Sequence, residues 1–174
     1  TYSLTYEFFD EGVSAAIEYE FAKWTTFPPR VGFAATISKK YDKVRYYGYG
    51  SNESYIDRRI SCIKDVYADT VDNMFVRYVK PQENGSHYGT EFMEITDGKT
   101  TLRAEGNFSF SALPYSAATL THTAHDWELP AAESTHLSLD YFMSGIGSNS
   151  CGPWLSEKWQ APRQGKGIIT LIVK

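Results

Sequence analysis

The stretch G-I-G-S-N-S-C-G-P, residues 145–153, sets Cys151 among small, polar, turn-forming residues. A thiolate there could serve as a nucleophile only with a base, usually His, and with donors for the developing negative charge. Glycine-rich neighbours can supply backbone N–H groups, but any tight turn looks the same. The histidines His87, His122, His125 and His136 share no signature with Cys151. Two cysteines, Cys62 and Cys151, do not make a disulfide framework in a chain of 174 residues, so two reduced thiols are expected. His122 and His125 are spaced for one helical face, but two further metal ligands are missing, and surface or capping roles are expected. Y-G-Y-G-S-N-E-S, residues 47–54, lacks the third glycine and following helix of a dinucleotide site, which leaves Gly48 and Gly50 as backbone residues. A glycosidase needs two carboxyls about 5–10 Å apart. Glu91 and Glu94, three apart on a predicted strand, should face opposite sides. Glu83, Asp57 and Asp140 stand isolated, and Asp57-Arg58-Arg59 reads as a structural ion pair or a solvated turn.

The composition excludes several classes. A net charge of −4 with scattered Lys and Arg disfavours nucleic acid, whose phosphates need clustered cations. No apolar run approaches about 18 residues, so no membrane span is expected. The opening T-Y-S-L-T-Y-E-F-F has neither a signal peptide's charged and apolar regions nor an initiator Met, and suggests an excised or processed fragment. Sequons at Asn52, Asn84 and Asn107 carry little weight without a secretory signal. The aromatic content of 16%, with 13 Tyr, suits half-buried strands and carbohydrate-facing surfaces.

The elements that must position these residues are mostly strands. Val13, Ala15, Ile17, Tyr19 and Phe21 alternate with polar or small residues at period two, and Asp10-Glu11-Gly12 turns the chain back onto residues 1–9. Further strands are predicted at 31–37, 44–49, 74–79, 88–96, 100–104, around Phe108 and Phe110, and at 136–142 and 168–173. A short helix is predicted over 116–125 with Ser116 as N-cap. Residues 54–66, without a clean period, read as an irregular crossing. Short strands with Gly, Pro and Asn punctuation predict one all-β domain over 1–174, an antiparallel β-sandwich.

Five ordered stretches resemble one family: Y-G-Y-G-S-N-E-S-Y-I-D-R-R (47–59), Y-V-K-P-Q-E-N-G (78–85), F-S-F-S-A-L-P-Y-S (108–116), H-L-S-L-D-Y (136–141) and G-I-G-S-N-S-C-G-P. Together they resemble the C-terminal domain of glycoside hydrolase family 2 β-galactosidases, which some members carry on a separate small subunit. The resemblance implies the C-terminal portion of a galactose-mutarotase-like β-supersandwich. In that family the acid/base and nucleophile glutamates lie on a TIM barrel, so no catalytic residue is expected here. The implied partners are that barrel, in the same chain or a large subunit, and a galactoside. No cofactor is expected in this chain, although family enzymes often use Mg and Na ions. A bacterial cytoplasmic location is implied.

The resemblance also gives the terminal loop a role. In several members it reaches the barrel mouth, where a Trp forms part of the aglycone side. Cys151 stands at that position, Trp154 is a candidate substitute, and Asn149 and Ser150 offer polar contacts to a sugar. Tyr47, Gly48, Gly50, Tyr55, Asp57 and Arg58 are expected to be structural, as are Pro81, Glu83, Asn84 and Gly85. Sheet edges left by absent strands are expected to favour self-association. Two rival readings are a self-sufficient aldose 1-epimerase and a carbohydrate-binding module. The epimerase needs a Glu base and a His acid, drawn from His87, His122 or His125 with Glu91 or Glu128.

Overall fold

A computed structural model describes residues 1–23, 26–147 and 151–174. Within them the chain forms strands β1 (Tyr2–Phe9), β2 (Gly12–Glu20), β3 (Arg30–Ser38), β4 (Lys43–Gly50), β5 (Ile63–Thr70), β6 (His87–Thr96), β7 (Thr101–Leu113), β8 (Ser134–Met143) and β9 (Gln164–Val173), with short helices α1 (Val71–Met74) and α2 (Ala117–His122). Every pairing is antiparallel, in the order β1-β2-β9-β7-β6-β4-β5, with β8 joining β7 to β3. Among the described residues no helix is long and apolar enough to cross a membrane.

β7 makes the single sheet into a sandwich-like all-β fold. Its first half, Leu102 to Gly106, pairs with β9, and its second half, Ser109 to Leu113, pairs with β8. The fork lies at Gly106, whose φ of 151° favours glycine and whose Cα approaches the Ile168 carbonyl so closely that a Cβ would lie 2.7 Å from that oxygen. Beyond the fork β8 and β3 fold over β2 and β9. Tyr141 on β8 donates its hydroxyl to the Ala15 carbonyl at 2.6 Å, and its ring meets Phe33 edge-on at 5.6 Å. Between the layers lie Val44, Met93, Ile95, Phe108, Phe110, Leu139 and Ile169, all buried. Each such side chain contributes about 1.5–3 kcal/mol through burial.

The predicted hairpin of β1 and β2 forms, turning through Asp10 and Glu11. The predicted helix is shorter, six residues, with Ser116 capping it by accepting the Thr119 N–H at 3.0 Å. Two expectations are overturned. Residues 63–70, half of them within the expected irregular crossing, form edge strand β5; both of its faces meet solvent, so no two-residue period marks it. Residues 74–79 form no strand. Val76 donates its N–H to the Asn84 side chain at 3.1 Å instead of to a ladder, and Phe75 packs with Leu113 and Leu120 in a second small core.

Candidate functional site

Residues of four of the five motifs meet at one end of the sandwich, around the root of the Gly145 loop. Ser144, just past β8, donates its hydroxyl to the Pro28 carbonyl at 2.8 Å and accepts the Ala161 N–H at 2.8 Å. Its own N–H bonds the Pro29 carbonyl at 2.9 Å, and the Gly145 N–H bonds the Trp159 carbonyl at 2.8 Å. The outgoing and returning limbs are thus stapled together. From across the cleft Asp57 accepts the Ile146 N–H on Oδ1 at 3.2 Å and the Gly147 N–H on Oδ2 at 2.8 Å.

Beside this root lies a cleft of about 600 Å³, lined in part by Phe27, Arg30, Arg58, Tyr78, Glu83 and Met143. Two charge networks build its walls. Glu53, its side chain 5% exposed, pairs with Arg58 at 3.1 Å, accepts the Tyr78 hydroxyl, and accepts the Gly85 N–H at 2.8 Å. Arg30 pairs with Glu83 at 3.0 Å and with buried Asp140 at 3.7 Å, and donates to Ser138 Oγ at 3.1 Å. Burial pushes the Asp140 carboxyl up to about 7 against the pull of Arg30. Glu83 and Asp140 are therefore not isolated, as the sequence suggested: they share one guanidinium. That arrangement holds the cleft's shape and leaves hydrogen-bonding groups at its rim.

The loop residues themselves are placed as follows. Cys151 is exposed and Trp154 is 76% exposed, while Asn149 and Ser150 lie outside the described residues. No disulfide joins Cys151 to Cys62, which is buried with its thiol toward the Asn52 and Glu53 carbonyls. Arg58 bonds Glu53 and Tyr78, and Asp57 bonds backbone. Gly48 and Gly50 are required by proximity, not by positive φ: a Cβ at Gly48 would lie 2.6 Å from Thr90 Oγ1.

Of the alternative catalytic groups, the structure pairs His125 with Glu128, in an exposed turn. His122 Nδ1 lies 2.8 Å from the Ala118 carbonyl at the end of its own helix. His125 does not share that helix: it pairs with Glu128 at 3.2 Å in the next turn and stacks on Trp127, exposed. His87 is buried against Tyr46 and Phe110. Among the described residues no group of three His, Cys, Asp or Glu side chains is set to hold a metal ion. Glu91 and Glu94 do not face opposite sides, because the β6–β7 ladder is irregular between Thr90 and Phe92. Glu91 pairs with Lys64, which lies over Tyr47, the partner of Phe92 and so on Glu94's face. Each carboxylate is claimed by its own cations, Lys64 for Glu91 and Arg45 and Arg103 for Glu94.

Sequence reasoning missed Glu53 and Arg30. Glu53 was inside a motif read for its glycines. Arg30 follows two prolines at the start of a strand, where nothing local marks its distant carboxylates.

Comparison with known proteins places these motifs. A family model described as beta galactosidase small chain matches residues 1–169. The chain is 38% identical over 162 residues to a beta-galactosidase of Actinobacillus pleuropneumoniae, covering 92% of the chain and 16% of that protein. It is 41% identical over 134 residues to one of Staphylococcus xylosus, covering 76% and 14%. Against one of Arthrobacter sp. (strain B7) it is 30% identical over 140 residues, covering 76% and 14%. The chain thus spans less than a fifth of the length of these relatives.

Proposed function

This chain belongs to the beta-galactosidase small chain family, and from that premise we propose that it is a non-catalytic β-domain of a β-galactosidase whose terminal loop borders the aglycone side of the sugar pocket. The parent enzyme hydrolyses terminal β-galactosides, with its catalytic carboxylates on a barrel that is the partner of this domain. The observation that carries the reading is the loop root: residues 144–147 are fixed by bonds to three separate segments, 28–29, 57 and 159–161. A loop that only closed a surface turn would not need that many anchors. Exposed Cys151 and Trp154 follow this root, where several members of the family it resembles carry a Trp on the aglycone side.

Two assays test the proposal. The isolated chain is expected to show no turnover of a chromogenic β-galactoside, and turnover surviving removal of host enzyme would overturn the non-catalytic role. In the assembled enzyme, Cys151→Trp should change KM by several-fold between aglycones while kcat stays within about twofold, the signature of altered ground-state binding. An unchanged KM across a series of aglycones would overturn the loop's role.

A further inference from the structure

Among the bonds that hold the loop root, those from Asp57 reach furthest toward the tip. Ser144 and Gly145 are held by segments 28–29 and 159–161, whereas the Ile146 and Gly147 N–H groups both point at one carboxylate, 89 and 90 residues away in sequence. Each carboxylate oxygen accepts one backbone N–H, so the side chain grips two consecutive residues at once. Charge-assisted bonds of this kind are about twice as strong as neutral ones. The fit is reciprocal. A Cβ at Gly145 would stand 2.6 Å from Asp57 Oδ2 and 2.7 Å from Oδ1, so glycine at 145 is what admits the carboxylate. Gly147, the second residue held, has a φ of 63°, a conformation that favours glycine.

From this we infer that Asp57 is a positioning residue for galactoside binding, acting through the direction in which the loop leaves Gly147. The inference rests on the proposed role of the loop and assigns no contact between Asp57 and substrate. Its neighbour Arg58 belongs to a separate network, with Glu53 and Tyr78. Two adjacent residues of Y-I-D-R-R therefore serve different structures: Arg58 the cleft wall, Asp57 the loop.

The test uses the assembled enzyme and reads the tether and the binding separately. Asp57→Asn leaves one oxygen for two N–H groups and turns an NH2 toward the other. Amide exchange in a peptide covering residues 144–147 should accelerate about tenfold or more. KM for β-galactosides should rise several-fold, with kcat within about twofold. Gly145→Ala changes no charge but expels the carboxylate, so it should reproduce both effects, and the double variant should be no worse than the more affected single. Unchanged exchange in Asp57→Asn would overturn the tether. Faster exchange with unchanged KM would overturn the positioning role. In that case a KM change in Cys151→Trp would leave the loop reading standing, and no change there would remove it too.

Discussion

Two buried side chains, His87 and Asp140, give the protein opposing responses to pH. Neither His87 nitrogen has a hydrogen-bond partner among the described residues, and burial against Tyr46 and Phe110 pushes it down to about 4. Its contribution to stability is complete above its ordinary value of 6.5 and is lost as pH falls toward 4, about 3 kcal/mol in all. Asp140 runs the other way. Raised from 3.8 to about 7, it favours the fold below 3.8 and loses that advantage as pH rises toward 7, about 4 kcal/mol. Between about pH 4 and 6.5 the slopes oppose, so melting temperature should vary little in the wild type. Asp140→Asn should leave a melting temperature that climbs across this window, and His87→Phe one that declines. Thermal scans at half-unit intervals check this, and parallel profiles for the two variants would refute it. None of this was legible in the sequence: His87 and Asp140 acquire their surroundings from strands that pair across long sequence separations.

At the scale of elements, what the sequence showed depended on whether one face was buried. β2 alternates because Ala15 and Tyr19 face the core while Glu18 and Glu20 face water. β5, with both faces exposed, carries no such record. The register shift beside Thr90 was equally silent, since it changes which way Glu91 points without changing its spacing from Glu94. The fork in β7 did leave a mark, Gly106, though within a run read as two strands rather than one. That glycine makes a sharp prediction. Gly106→Ala should cost on the order of 1–3 kcal/mol, because φ is unsuited to a side chain and the Ile168 carbonyl blocks the Cβ. Gly98, in the turn between β6 and β7, also has positive φ, 88°, but nothing lies within 4 Å of its Cβ position. Gly98→Ala should therefore cost only the smaller backbone penalty. Urea denaturation of the two variants separates steric from conformational cost, and equal losses would show that the fork is not tightly packed.

For the whole molecule, the informative surface is the inward face of β1. Tyr2, Tyr6 and Phe8 stand opposite Tyr19, Ala15 and Val13 on β2, so they share the face on which Ala15 and Tyr19 are buried. Yet Tyr2 is 77%, Tyr6 50% and Phe8 79% exposed, because the β3–β8 layer does not reach them. The same layer leaves an apolar cleft of about 320 Å³ between Val13, Phe33, Ile95, Leu139 and Leu171. β1 also presents one unpaired edge. An aromatic face joined to an open edge is the combination that drives association. Under the proposed function, the rest of the β-galactosidase is what covers it. In the isolated domain the available cover is a second copy, and the chain should associate as concentration rises. Lysines on the inward face would charge it while leaving β1's hydrogen bonds to β2 intact. Tyr6→Lys with Phe8→Lys should therefore move the midpoint of association, read by sedimentation velocity, upward by about tenfold or more in concentration. The domain's melting temperature, measured where it is monomeric, should change little, since both side chains are already in solvent. A wild-type domain that stays monomeric at every concentration, or an unmoved midpoint, would show that this face is stable in water as it stands.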